Sequence, residues 1–134
     1  MQDRPNYDEL LSAVERFLDD EIVPNVEGAR RYHGRVAANV IRIVRRELAR
    51  EEEQLAAEWD GLDALLDSAE RPEGKAALRD AITSRTNELC ERIRDGDADD
   101  GGFREATLAH VRRTVRDKLL VDNPGWLGEE DSEA

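Results

Sequence analysis

The amino-acid sequence predicts an all-α protein, an antiparallel helical bundle of four main helices with one short extra helix. Two observations support this fold class. Leu, Val, Ile and Ala recur at intervals of three and four residues, and no segment shows the alternating pattern of a strand. The segments between these runs are short, which is typical of neighbouring helices in a bundle. We therefore expect one helical domain over residues 1–127 and an acidic tail over residues 128–134.

The acidic composition narrows the range of partners. The formal net charge is -12, and 39% of the residues are charged. Nucleic acids and anionic membranes attract basic surfaces, so we expect neither as a partner. Cys90 is the single cysteine, and the first part of the chain lacks the apolar run of a signal peptide. We therefore expect a cytoplasmic protein without an intramolecular disulfide.

The first helix has clear start and stop signals. Asn6 and Glu9 have the spacing of a capping box, in which each side chain accepts a hydrogen bond from the backbone of the other residue. Apolar residues then recur at helical spacing as far as Ile22. Pro24 follows and is a stop signal, so the first helix is predicted between Asn6 and Pro24.

The second helix is predicted to begin near Ala29 and to run past Leu48. One face is apolar, and we expect it to be buried; it consists of Val36, Val40, Ile43 and Val44. His33 stands at the start of this stripe, where a histidine is typically a half-buried structural donor. A separate face carries a polar row made of Arg35, Asn39, Arg42 and Arg46.

The remaining segments predict two further main helices and one ambiguous stretch. Residues 51–68 have helical periodicity, but Gly61 indicates a break or a short separate helix. The third main helix is predicted from Pro72 to about Asp95. The fourth ends at the sequence NPGW and should direct four apolar residues inward, namely Leu108, Val111, Val115 and Leu119.

Three residues of this last region receive specific predictions. His110 lies off the apolar face of the fourth helix, so we expect it at the surface or the rim of the core. Trp126 follows the helix stop, and we expect it to fold back onto the bundle as a structural anchor, with Asn123 as a second anchor.

The sequence has no recognisable motif for catalysis or metal binding. A P-loop, a dinucleotide fingerprint, a nucleophile elbow and a zinc cluster are all missing. Asp95, Asp97 and Asp99 match the first, third and fifth positions of a calcium loop, but the sixth is Asp100 and the twelfth is Ala106. We therefore expect no metal and no cofactor, and a non-catalytic role is favoured over an enzymatic one.

Positive charge is concentrated in the second helix. Residues 30–50 contain seven arginines and one glutamate, a local balance of +6, so the rest of the chain carries -18. Three interpretations remain open. The arginines neutralise carboxylates of neighbouring helices, or they form a docking face for a partner protein, or they bind a phosphate or carboxylate. For the last two, the candidate residues are His33, Arg35, Asn39, Arg42 and Arg46.

Four stretches carry a resemblance to a known family: MQDRP, YHGRVAANVIRIVRREL, LCERIRDG and HVRRTVRDKLLVDNPGWL. Together they resemble a bacterial family of small, uncharacterised helical proteins, over nearly the full length of the chain. Members of that family are commonly encoded beside kinases of the aminoglycoside phosphotransferase type and beside acyl-CoA dehydrogenases. The resemblance implies an accessory protein of such a pathway, and it transfers no catalytic residue.

These observations lead to two expected functions. The first is a non-catalytic accessory or regulatory partner of a phosphotransferase-like protein, a small-molecule kinase, in acyl or CoA-related metabolism. An acyl-CoA dehydrogenase-like protein and a second copy of the chain are further expected partners. The alternative is a small ligand-binding module or enzyme that acts on a phosphorylated or carboxylated metabolite through the basic second helix.

Overall fold

The computed structural model describes residues 4–128, so the predicted acidic tail lies outside the described residues except for its first residue. The main helices are α1 (Tyr7–Arg16), α2 (Gly28–Leu65), α3 (Lys75–Arg94) and α4 (Gly101–Asp122). A π-helical turn (Phe17–Ile22) and a 3₁₀ turn (Val23–Asn25) follow α1, and a 3₁₀ turn (Pro124–Trp126) follows α4. The predicted all-α helical fold is confirmed. No described helix is long and apolar enough to cross a membrane.

The described residues form two compact units. The hairpin unit consists of residues 4–49 and 121–123, and the core unit consists of residues 50–120 and 124–128. In the hairpin unit, α1 packs against the first part of α2. In the core unit, the second part of α2 packs with α3 and most of α4.

The predicted cap of α1 is present. The Asn6 side chain accepts a hydrogen bond from the Glu9 N–H at 2.9 Å, and the Glu9 carboxylate accepts one from the Asn6 N–H at 2.8 Å. Both bonds satisfy donors that a helix start otherwise leaves open. The chain then passes through the π and 3₁₀ turns, and Pro24 lies in the last turn before α2.

Alpha-helix 2 is a single helix of 38 residues, which corrects the predicted break at Gly61. Gly61 serves side-chain packing instead: a Cβ added there would lie 2.3 Å from Nδ1 of His110. The absence of a side chain at Gly61 therefore makes room for the imidazole ring. His110 is only 7% exposed, so it is buried and does not lie at the surface or the rim of the core, where the sequence predicted it.

The hydrophobic core belongs to the core unit. Its buried residues are Trp59, Leu62, Leu65, Leu66, Leu78, Ile82 and Leu89. Polar contacts show the helix directions. Glu51 pairs with Lys75 while Leu65 accepts a bond from Arg92, so the second part of α2 and α3 run parallel. Residues 66–74 lead the chain back alongside α2, so that α3 begins next to Glu51.

Two arginines of α3 satisfy the carbonyl groups at the end of α2. Arg85 donates to the carbonyl oxygen of Leu62 at 3.4 Å and to that of Asp67 at 2.9 Å, and Arg92 donates to that of Leu65 at 3.2 Å. The last carbonyls of a helix have no partner within the helix, and Arg92 supplies one for Leu65. Arg85 shares the Leu62 carbonyl with the Leu66 N–H, binds the Asp67 carbonyl beyond the helix and stacks over the Trp59 ring.

Two predicted apolar stripes face solvent instead of the core. Val36, Val40 and Val44 of α2 are 41%, 49% and 38% exposed, while Ile43 of the same predicted stripe is partly buried. On α4, three of the four predicted core residues are exposed, namely Leu108, Val111 and Val115. The residues that α4 buries lie on another side of the helix: Thr107, His110 and Val121.

The predicted anchors at the end of α4 are not buried either. Trp126 is 77% exposed, which contradicts its predicted return onto the bundle, and Asn123 is exposed. Pro124 cannot continue α4, and the following 3₁₀ turn leaves the indole in solvent.

Candidate functional site

The basic residues of α2 were the first candidates for function, and two of them pair with carboxylates of the same chain. Arg42 binds Glu15 at 2.8 Å and also pairs with Asp19. Arg45 binds Asp8 at 2.7 Å and Glu15 at 2.6 Å. Glu15 therefore bridges both arginines, and the pairs join α1 to α2 in antiparallel order.

The Arg45 contacts shift the proton affinities of the groups involved. Hydrogen bonding to Arg45 lowers the pKa of Asp8, and burial opposes this effect only in part. The hydrogen bonds to Asp8 and Glu15 raise the pKa of Arg45 above its already high ordinary value. The ion pair is therefore fully charged at neutral pH.

Two further arginines of the hairpin unit bind backbone carbonyl groups. Arg46 donates to the Val121 carbonyl oxygen at 2.6 Å, at the end of α4, where helix carbonyls lack internal partners. Arg31 donates to the Val26 carbonyl oxygen at 2.9 Å, beside the start of α2. Arg46 therefore stabilises the end of α4, and Arg31 stabilises the turn that precedes α2.

The five residues predicted for anion or partner binding therefore separate into two groups. Arg42 and Arg46 bind groups of this protein. His33, Arg35 and Asn39 are exposed, and their side chains make no hydrogen bond or ion pair with any described residue. His33 was expected to be half-buried, but its contact is an edge-to-face arrangement with Tyr32, with ring centroids 5.6 Å apart.

The hairpin unit exposes a large apolar surface, which we call the hairpin face. On α1 and its π turn it consists of Tyr7, Leu10, Val14 and Phe17, which are 43–55% exposed. On α2 it consists of Val36, Val40, Val44 and Leu48, which are 38–49% exposed. Each set has the three- and four-residue spacing of one helix face.

Helical geometry places the two halves of the hairpin face on one side of the hairpin. On each helix the apolar stripe lies more than a third of a turn around the helix axis from the ion-pairing residues. Because the two helices are antiparallel, these two rotations bring both stripes to the same side of the hairpin. The partly buried apolar residues Leu11, Leu18, Ala37 and Ile41 lie between the two stripes. The hairpin is therefore amphipathic, with ion pairs on one side and an exposed apolar face on the other.

A second exposed stripe lies on α4 in the core unit. The α4 stripe consists of Leu108, Val111 and Val115, which are 42%, 42% and 50% exposed. Arg104 and Arg112 are exposed beside it. Large apolar side chains that repeat at helical spacing on a surface indicate an interaction site, whereas single ones do not.

The core unit also has a surface cleft of about 390 Å³ that sequence reasoning missed. It is lined by Leu55, Glu58, Arg79, Ile82, Thr83, Thr86, Asn87 and Lys118. Arg79 is already paired with the buried carboxylate of Glu51, and Glu58 contributes negative charge to the same cleft. Among residues 4–128 no group of three His, Cys, Asp or Glu residues could hold a metal ion.

A comparison with known protein families places most of the chain, including the exposed stripes of α2 and α4, in one family. The model of the family DUF6285, a domain of unknown function, matches residues 24–126. The chain belongs to DUF6285. The DUF6285 match begins at the turn before α2 and ends at the turn after α4, so it includes the α2 half of the hairpin face and the whole α4 stripe. No curated protein and no solved structure matches the chain.

Proposed function

We propose that this DUF6285 protein is a non-catalytic accessory protein that binds a phosphotransferase-like protein of acyl or CoA-related metabolism through the α4 stripe. The observation that carries the proposal is the exposure of Leu108, Val111 and Val115 on one face of α4. The class of partner rests on the resemblance to bacterial proteins that are commonly encoded beside such kinases.

The spacing of the α4 stripe is suited to a groove on another protein. The three residues occupy positions i, i+3 and i+7, which are the anchor positions of a helix that lies in an apolar groove. The neighbouring Arg104 and Arg112 would face the rim of that groove. The expected partner surface is therefore an apolar groove with an acidic rim.

The internal pairing of the α2 arginines supports this proposal over the ligand-binding alternative. A phosphate or carboxylate ligand needs cations that are not already paired. Arg42 is occupied by Glu15 and Asp19, and Arg46 is occupied by carbonyl groups at the end of α4. The alternative therefore depends on Arg35 with His33 and Asn39, and neither Arg42 nor Arg46 supports it.

Co-purification tests the proposal. The full chain is co-expressed with the phosphotransferase-like protein of its source, and the affinity is measured for wild type, Val111→Asp and Ala109→Asp. Ala109 is exposed on α4 away from the stripe, so Ala109→Asp is a control with the same added charge. We expect Val111→Asp to weaken binding by about tenfold or more, because a charge would enter an apolar contact.

Three results would count against the proposal. The wild type could fail to bind the phosphotransferase-like protein, Val111→Asp could bind as tightly as wild type, or both variants could lose binding equally. An acyl-CoA dehydrogenase-like protein from the same source is assayed in parallel, and a complex with that protein alone would assign the stripe to the other partner. A thermal shift with CoA, nucleotides or acyl phosphates would instead support the ligand-binding alternative.

A further inference from the structure

We propose that the hairpin face binds a second copy of this chain, with the first part of α2 crossing its counterpart in antiparallel orientation about a two-fold axis at Val40. The two hairpins would then form a four-helix arrangement across the axis. This proposal concerns the hairpin unit and does not depend on the function proposed for the α4 stripe.

The area of the hairpin face is large enough for a dimer contact. It contains eight apolar side chains that are each 38–55% exposed. A fully exposed aromatic side chain offers about 150–250 Å² and the smaller Val and Leu side chains offer less, so the eight side chains together present on the order of several hundred Å². A specific interface buries ~800 Å² on each partner, and the polar residues that flank the apolar face would supply the remainder.

The order of residues along α2 is nearly symmetric about Val40. Val36 and Val44 lie four residues to either side of Val40, and His33 and Glu47 lie seven residues to either side. All five residues are exposed and share one face of the helix. A two-fold axis at Val40 would bring each residue before Val40 against the residue at the same distance after it in the other copy, so residues at equal distances have to be compatible.

Antiparallel crossing at Val40 would bring complementary groups together. Val36 would face Val44 of the partner subunit, and Val40 would face its own copy. His33 would face Glu47 of the partner subunit, and both His33 and Glu47 lack a hydrogen bond or ion pair with any described residue of their own chain. A second copy of the chain presents the same residues in the opposite direction, so it supplies a compatible residue at each of these positions.

The apolar residues of α1 would complete the contact. Leu10, Val14 and Phe17 lie on the same side of the hairpin as the valine stripe. In the dimer they would pack along the edge of the partner's α2. Two amphipathic helical hairpins that pack in this way form a four-helix bundle with a continuous apolar interior.

The mass of the full-length protein in solution tests the proposal. Sedimentation equilibrium over a range of concentrations should show a dimer for wild type. Val40→Glu should raise the dissociation constant by about a hundredfold or more, because two like charges would meet at the axis. Circular dichroism checks that the variant retains its helices, and Val111→Asp on the α4 stripe is the control that should remain dimeric.

Charge exchange tests the antiparallel register. His33→Glu should weaken the dimer, because it would place two carboxylates together at each end of the contact. Combining His33→Glu with Glu47→Lys should restore dimerisation, since a carboxylate at position 33 would then face an ammonium group at position 47 of the partner subunit. An exchange that fails to restore the dimer would overturn the register.

The remaining outcomes separate the two proposals. A wild-type chain that stays monomeric at high concentration would overturn the dimer, and so would a helical Val40→Glu variant that dimerises like wild type. Dissociation by Val111→Asp would assign self-association to the α4 stripe instead. None of the results on Val40 changes the expected binding of a phosphotransferase-like protein, which is measured with the α4 variants.

Discussion

The hairpin unit and the core unit are stabilised in different ways. In the core unit, apolar side chains are buried and arginines cap the end of α2. In the hairpin unit, the buried residues are Gly34, Ala38 and Val121, and α1 is joined to α2 by ion pairs and by apolar residues that are only partly buried. The most regular apolar stripes of the hairpin unit face solvent. The core unit thus buries most of its regular apolar surface and leaves the α4 stripe exposed, whereas the hairpin unit leaves its most regular apolar stripes exposed on both helices.

This difference indicates which unit supplies most of the folding stability. Burying apolar surface is the main source of folding free energy, whereas exposed ion pairs contribute little. The core unit therefore supplies most of the stability, and the hairpin unit is expected to gain stability on association. Four predictions test this comparison, and they are ordered from the largest expected effect to the smallest.

The largest effect is expected in the centre of the core unit. Leu62 is completely buried, and Leu62→Ala should reduce the free energy of unfolding by about 2–5 kcal/mol, the range for such cavities. Chemical denaturation monitored by circular dichroism measures the loss. Val36→Ala in the hairpin unit is the control, and it should change the value by less than about 0.5 kcal/mol at low protein concentration. Equal losses in the two variants would contradict the comparison.

The second effect concerns the contact between Gly61 and His110. Gly61→Ala usually stabilises a helix, but here the new Cβ would lie 2.3 Å from the imidazole, so we expect a loss of about 1–3 kcal/mol. Gly102→Ala is the control, because no atom lies within 4 Å of a Cβ at that position in α4. If His110→Ala does not recover part of the loss in the double variant, the clash is not its cause.

The sequence predicted the helices far better than it predicted which of their faces are buried. The capping box at Asn6 depends on local chemistry and is found in the structure, whereas α1 ends at Arg16 and a π turn and a 3₁₀ turn occupy the stretch up to and beyond the predicted stop at Pro24. Which face of α2 is buried depends on its contacts with α1, and the sequence of α2 by itself does not contain that information. Three carboxylates of α1 and the π turn after it pair with arginines of α2 and draw the polar side of α2 toward α1: Asp8, Glu15 and Asp19.

The same limit of sequence-based prediction applies to the candidate binding surfaces. Periodicity correctly found a valine stripe on α2 and an apolar stripe on α4, but it could not distinguish a buried face from a face exposed to solvent. Asp8, Glu15 and Asp19 lie seven and four residues apart, which is itself a helical spacing. That spacing, matched with Arg42 and Arg45, was the available signal that these carboxylates pair with the arginines of α2.

The third effect is a pH dependence that should reside in the core unit. Burial lowers the pKa of His110 from its ordinary value of 6.5; Glu58 opposes the shift, and Arg113 and Lys118 add to it. The unfolded chain therefore binds a proton at a pH where the folded chain does not. Stability should fall as pH decreases below about 6.5 and level off below the folded pKa.

Denaturation at a series of pH values measures this dependence. His110→Gln should remove the part of the slope that lies between the folded and unfolded pKa values of the imidazole. The exposed His33 is the matched control, and His33→Gln should leave that part of the slope in place. A slope that survives in His110→Gln would assign the pH dependence to other groups.

The smallest effect is expected from the ion pairs of the hairpin unit. Glu15→Gln removes the charge that bridges Arg42 and Arg45, although Asp8 and Asp19 still pair with those arginines. The loss of stability should be below that of Gly61→Ala and should shrink as salt is added, because the pairs are partly exposed to screening ions. Glu53→Gln, at an exposed position that makes no ion pair with a described residue, is the control. A loss of stability as large as that of Leu62→Ala would mean that the ion pairs stabilise the hairpin unit as much as apolar burial stabilises the core unit. A loss that does not depend on salt would contradict the expectation that the pairs are exposed to screening ions.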